Sequence, residues 1–189
     1  MDNLFSIEPS YPKGFSYYPD FINREEEEKL LQLISGLSLH TFMFRGYEAK
    51  RKVASFGYDY HFDNRSLSKG TPIPDGFLPL LSKVAGFLSV PAPEFTELLV
   101  TEYPPGSVIN WHRDAPPFDI IAGISLLSDC NFKLRPYDKT KQGRGSVLSI
   151  PVKRCSLYVM QGAAREEWEH SIAEMKTTRY SITLRTLRK

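Results

Sequence analysis

Two imidazoles and one carboxylate are the groups in this sequence whose types and spacing point to metal chemistry. His112 and Asp114 are separated by one residue. On a strand, positions i and i+2 face the same side, so ring and carboxylate would aim at one spot. His170 comes much later, after Glu167-Trp168-Glu169 and before an apolar alternation. Two histidines and one carboxylate on one face form a donor set suited to Fe(II), with positions left open for other ligands. No thiolate lies close by in sequence to compete. A lone His-x-Asp is also what an ordinary surface strand end can carry, so the reading needs further groups.

The last apolar stretch supplies them. In Arg179-Tyr180-Ser181-Ile182-Thr183-Leu184-Arg185 the odd positions share one strand face. If that face looks inward, two guanidinium groups need anions, because a buried unpaired charge costs several kcal/mol. A dicarboxylate would provide two, each matched by the guanidinium fork. The alternative is that the odd face is exposed and Tyr180, Ile182 and Leu184 form the core. Tyr103, in Thr101-Glu102-Tyr103-Pro104-Pro105-Gly106, is either an inward phenol that donates to such a carboxylate or a core tyrosine.

A third group sits upstream. Lys50-Arg51-Lys52 leads into Phe56, Tyr58, Tyr60 and Phe62, and Arg45 adds to the local cationic excess over Glu48. Cations can contact phosphate, and aromatic faces can stack a base taken out of a helix. The same pattern also describes a hairpin edge with an aromatic core face. A second basic stretch, Lys133, Arg135, Lys139, Lys141 and Arg144, could flank a nucleic-acid groove or be a solvated loop.

The elements that must position these residues follow from periodicity. The chain has 189 residues, 41% hydrophobic and 13% aromatic, enough for one domain with a real core. A charged fraction of 24% argues against wholesale disorder, and a net charge of +2 permits nucleic-acid binding without demanding it. Two cysteines, Cys130 and Cys155, make no disulfide framework. No apolar leader core or membrane-spanning run is found, so a cytoplasmic protein with no membrane partner is expected. The chain carries no clear oligomer signal, and a monomer is the expectation. Residues 1–19 read as an irregular N-terminal arm. Asn23 with Glu26 forms a capping box for a helix that Gly36 ends, and Glu25–Glu28 read as its solvated, dipole-favoured start. A second helix is expected over Phe77–Leu88. Strands are expected over 38–46, 54–62, 96–103, 107–112, 119–127, 130–136, 146–151, 154–160, 168–173 and 179–187. The fold class is mostly β with flanking helices: a double-stranded β-helix, or jelly roll, with helices packed on one sheet.

Taken in order, Tyr103-Pro104-x-Gly106, His112-x-Asp114, His170 and Arg179-x5-Arg185 resemble the AlkB family of Fe(II)/2-oxoglutarate-dependent dioxygenases. Ile121–Leu127 resembles the family's strand after the HxD motif, and Ser156–Gly162 the strand leading to the second histidine. The likeness covers about residues 45–188. It implies a single dioxygenase domain over 1–189, with Fe(II) held by His112, Asp114 and His170. It implies 2-oxoglutarate contacts from Tyr103, Arg179 and Arg185, with O2 as second cosubstrate. Thr101 and Ser181 join that group as hydroxyl donors, although the bacterial repair enzyme that names the family has Asn at both places. The resemblance makes about 45–65 a substrate lid, in which Lys50, Arg51, Lys52, Phe56, Tyr58 and Tyr60 would meet substrate, and it puts Arg165 at the substrate mouth. The wording Phe56–Phe62 and Ser181 are similar to the branch that oxidises modified wobble uridines in tRNA. One departure cuts against simple repair: Ala115-Pro116-Pro117 stands where repair enzymes carry an acidic residue that reads the base. The implied reaction is oxidative demethylation or hydroxylation of an alkylated or modified base in DNA or RNA, tRNA included, for repair or for RNA modification. The rival readings are the same oxygenase chemistry on a protein or small molecule, and a non-catalytic jelly-roll binding module.

Overall fold

The computed structural model describes residues 10–44, 46–61 and 64–189, apart from the side chains of Phe44 and Tyr47. Arg45, Phe62 and the first nine residues of the arm therefore lie outside the described residues. The elements are β1 (Phe15–Tyr18), α1 (Arg24–Ser35), β2 (His40–Phe44), β3 (Tyr47–His61), β4 (Ser66–Lys69), α2 (Leu78–Leu88), β5 (Phe95–Tyr103), β6 (Ile109–His112), β7 (Phe118–Leu126), β8 (Cys130–Pro136), β9 (Leu148–Val152), β10 (Leu157–Met160), α3 (Gly162–Glu166), β11 (Trp168–Ile172) and β12 (Arg179–Leu187).

Alternation along the strands builds two antiparallel sheets that face one another. The major sheet runs β1-β10-β7-β12-β5-β3-β2, with β4 on β3, and the minor sheet runs β6-β11-β8-β9. Leu98, Val100, Ala122, Ile124, Ile182 and Leu184 point from the major sheet toward α1 and α2, and none exposes any surface. Each such aliphatic side chain contributes roughly 1.5–3 kcal/mol on burial. The opposite face of the same strands meets the minor sheet through Phe118, Phe132, Ile150 and Met160. This is the expected jelly roll, with both helices on one sheet.

Local signals act as expected at α1. The Asn23 side chain accepts from the Glu26 N–H at 2.9 Å, and Glu26 accepts from the Asn23 N–H at 2.8 Å. The acidic run is not uniformly solvated, however. Glu27 has 0% exposure, accepts from the Leu127 N–H at 2.8 Å and pairs with Arg154, so it ties α1 to the strands. The second helix begins one residue late, after a 3-10 turn over Asp75–Phe77.

Four elements depart from the expectation. The arm is not irregular throughout, since Phe15–Tyr18 pairs in register with β10 as the edge of the major sheet. Its turn-forming Pro12 and Gly14 hide a four-residue strand. β4 is a short polar edge strand without an apolar run, and α3 is a single turn too brief for periodicity to reveal. β3 is longer than expected and bends at Gly57 (φ +86°), where a Cβ would lie 2.0 Å from the Thr96 carbonyl oxygen. Before Gly57 it pairs with β5 and beyond it with β4.

Candidate metal centre

Register brings the three metal donors together. His112 closes β6 and sits directly opposite His170 on β11, with ring centroids 4.2 Å apart. Asp114 follows in the turn before β7. The donor atoms of His112, Asp114 and His170 all lie within 4.8 Å of one another. His112 Nδ1 is 2.9 Å from the Asn110 carbonyl oxygen, which can only accept, so Nδ1 carries the proton and Nε2 offers its lone pair. His170 Nε2 is 3.6 Å from Asp114 Oδ2. Burial, helped by His112, pushes the His170 ring down to about 3, so it is a neutral donor at ordinary pH.

The carboxylate is held from two sides. Arg185 Nη2 donates to Asp114 Oδ1 at 2.6 Å, and Nη1 donates to Glu97 at 2.7 Å. Arg165 Nη2 donates to the backbone carbonyls of Asp114 and Ala115 at 2.9 and 2.6 Å. Burial by itself would raise the Asp114 carboxyl, but the Arg185 guanidinium, acting together with His170, His112 and Arg165, outweighs it and holds the group well below the usual range. One oxygen is thereby engaged and the other faces the imidazoles.

On the same face of β12 as Arg185 lies a second guanidinium, without a counter-ion among the described residues. Arg179 has 0% exposure; its Nε donates to Ser125 Oγ at 2.9 Å, while Nη1 and Nη2 find no partner among the described residues. Two parallel donors fixed in a dry site fit one carboxylate. Tyr103 stands across β5–β12 from Arg179, its hydroxyl 3.3 Å from Ser181 Oγ, and Thr101 is buried opposite Ser181. The odd face of β12 therefore looks between the sheets, and Ile182 and Leu184 face the helices.

The two arginines of β12 do different work. Arg179 is open to an anion. Arg185 has both amino groups taken by Glu97 and Asp114, while its Nε has no partner among the described residues.

On the substrate side, strand alternation splits the basic run. Lys52 lies 3.5 Å from Glu102, and Phe56, on the same face, packs against the helix-side core. Both point away from the metal centre, which corrects their assignment to substrate. Arg51 lies on the opposite face with Val53, its guanidinium 4.0 Å over the Phe42 ring. Lys50 is exposed, with its ammonium over Gly106 in the turn after β5. Tyr58 is half-buried opposite Lys69; Tyr60 sits opposite Leu67, and both pack on the core between the sheets. Arg165, 5% exposed, holds the Asp114 turn through one amino group, which donates to the Asp114 and Ala115 carbonyls, while its Nε has no partner among the described residues. In the second basic stretch Arg135 is bound to Glu169 at 2.5 Å and stacked on Trp111, while Lys139, Lys141 and Arg144 stay exposed.

Glu97 was legible only in hindsight. It shares the odd-numbered face of β5 with Thr101 and Tyr103, and a carboxylate there demands a cation. Ser125 carried no signal at all.

The model of a family described as the 2OG-Fe(II) oxygenase superfamily matches residues 14–186. The chain is 28% identical over 177 residues to the Xenopus tropicalis tRNA (carboxymethyluridine(34)-5-O)-methyltransferase alkbh8, covering 90% of this chain and 27% of that protein. It is 26% identical over 179 residues to the Homo sapiens DNA oxidative demethylase ALKBH2, covering 86% of this chain and 67% of that one. The chain thus spans about a quarter of the alkbh8 relatives it matches. Among solved structures, OsALKBH1 superposes with a TM-score of 0.72 at 12% identity, over 92% of this chain and 96% of that one. A Trichoplax adhaerens prolyl hydroxylase in complex with a hypoxia inducible factor peptide gives 0.65 at 17% identity, over 92% and 83%.

Proposed function

The chain belongs to the 2OG-Fe(II) oxygenase superfamily, and on that premise we propose that it oxidises an alkylated or modified base in nucleic acid, with tRNA as the first substrate to test. The family uses Fe(II), 2-oxoglutarate and O2. The observation that carries the chemistry is Arg179, a buried guanidinium with two unmatched donors beside a two-histidine, one-carboxylate cluster. That pairing fits a metal with an acidic cosubstrate, and it argues against a merely structural histidine pair.

His112, Asp114 and His170 would hold Fe(II) on one face. With its cosubstrates bound, the metal supplies the oxidising power for a substrate C–H bond. The chain's own residues do the rest. Arg179 takes a carboxylate of 2-oxoglutarate, with Tyr103 and Ser181 alongside. Arg185 fixes Asp114 so that one oxygen faces the metal. Phe118 and Phe132, both fully buried, keep water from that side of the site. Arg51, cationic and stacked on Phe42, is the described lid residue best suited to a phosphate. The site is complete within one chain, so a monomer suffices.

The nucleic-acid reading rests on relatives whose names place them on tRNA and on DNA; the likeness to a prolyl hydroxylase is one of fold alone. The test is mass spectrometry of tRNA-derived and alkylated DNA oligonucleotides incubated with the protein, Fe(II) and 2-oxoglutarate. A base that gains one oxygen or loses a methyl group is expected, and His112→Ala should abolish it. Oxidation of peptides or small molecules with every oligonucleotide untouched would overturn the substrate assignment.

A further inference from the structure

A glycine inside a central strand weakens it, and such a glycine marks a place where another group comes close. Gly123 is such a residue. It sits on β7, flanked in register by Tyr158 of β10 and Thr183 of β12. A Cβ on Gly123 would meet the Tyr158 ring at 2.2 Å and its hydroxyl oxygen at 2.5 Å. The tyrosine therefore lies flat over the inward face of β7 and can do so only because position 123 has no side chain.

That location is not neutral ground. Ser125, two residues along β7 on the same face, accepts the Nε donor of Arg179. On its other side the Tyr158 ring lies 4.9 Å from Phe132, whose second neighbour is the His170 ring at 5.3 Å. A wall of rings thus runs from the candidate donor His170, across Phe132, to Tyr158, whose phenol lies within electrostatic reach of Arg179. Tyr158 is only 7% exposed. Burial keeps the phenol protonated, hence a donor.

We infer that Tyr158 is a specificity-determining residue of the diacid slot: its hydroxyl shares the distal carboxylate with Arg179, and its ring, seated on Gly123, limits the slot's length. This rests on the oxygenase reading above. A purely structural tyrosine would fill the same core without affecting which diacid is taken.

The test is calorimetric titration of the full chain, loaded with Mn(II), with 2-oxoglutarate and with its one-carbon-longer homologue 2-oxoadipate. Tyr158→Phe keeps the ring and removes the donor. It should weaken 2-oxoglutarate binding about tenfold, as loss of a hydrogen bond to a charged group does. Tyr158→Leu should shift the preference toward 2-oxoadipate by about tenfold, the size of effect a few lost contacts give in a pocket. Affinities for both diacids within twofold of the parent in Tyr158→Phe would overturn the inference, whether or not Tyr158→Leu folds. If the parent protein binds neither diacid, the cosubstrate reading itself falls. If the parent binds and the variants match it, only the role of Tyr158 falls.

Discussion

At the residue scale, the two arginines of β12 make opposite demands on the protein. Arg179 is a buried cation with no counter-ion among the described residues, so the cosubstrate-free protein carries its desolvation cost. Arg179→Met should stabilise that form by about 1–4 kcal/mol in urea unfolding, the range seen when buried charges give way to apolar groups. It should also abolish diacid binding. A variant that is less stable and still binds the diacid would refute the assignment. Arg185 instead bridges Glu97 and Asp114. Glu97→Gln removes one end of the bridge, and metal affinity should fall about 10–100-fold, as when partners behind metal ligands are lost. Anaerobic Fe(II) titration checks this, and an unchanged affinity would leave Glu97 without a role. The cysteines belong here too. Burial pushes the Cys155 thiol up to about 11 and raises that of Cys130. Both should resist alkylation at pH 8 until the protein unfolds; rapid labelling of the native chain would contradict their placement.

At the scale of elements, α1 is held by two unlike devices. Its start is a capping box written in four consecutive residues. Its attachment is Glu27, which no local rule identifies, because an acidic first turn is ordinarily solvated. Glu27→Gln removes the charge that pairs with Arg154, while its amide oxygen can still accept from the Leu127 N–H. A loss of about 1–3 kcal/mol is expected, moderated because the Arg154 side chain is a third exposed and can recover water. Thermal unfolding measures it, and an unchanged Tm would make the contact incidental. β3 shows the converse. Its alternation is plain in the sequence, yet Lys50, Arg51 and Lys52 cannot all serve one partner, because neighbouring residues on a strand point to opposite faces.

At the scale of the whole molecule, the candidate metal centre is assembled from the minor sheet and the turn leaving it, while Arg179, the proposed diacid anchor, comes from the major sheet. Binding should therefore clamp the two sheets together. Mn(II) with 2-oxoglutarate at 100 times its Kd should add about 2.7 kcal/mol of stability by mass action. A diacid that binds without raising the melting temperature would be bound elsewhere. The lid makes a second prediction. Arg51→Ala should reduce the salt slope of RNA binding by about 0.7–0.9, the release expected for one phosphate contact, whereas Lys52→Ala should leave it nearly unchanged. Equal effects would mean that both face the nucleic acid. Among the described residues, no helix is long and apolar enough to cross a membrane.

The sequence by itself determined what depends on bonds between near neighbours. His112 and Asp114 had to share a side, as did Arg179, Ser181, Thr183 and Arg185, because backbone geometry alternates side chains whatever the fold. The capping box at Asn23 was readable for the same reason. Motif order added the family, and with it the jelly roll. Only the tertiary structure decided which face lay inside and what each group met there. Glu97 beside Arg185, Arg165 under the Asp114 turn, Tyr158 over Gly123 and Glu27 against Arg154 all join residues far apart in the chain. Such pairings are set by strand register and by the packing of sheet on sheet and helix on sheet, and no local pattern encodes them.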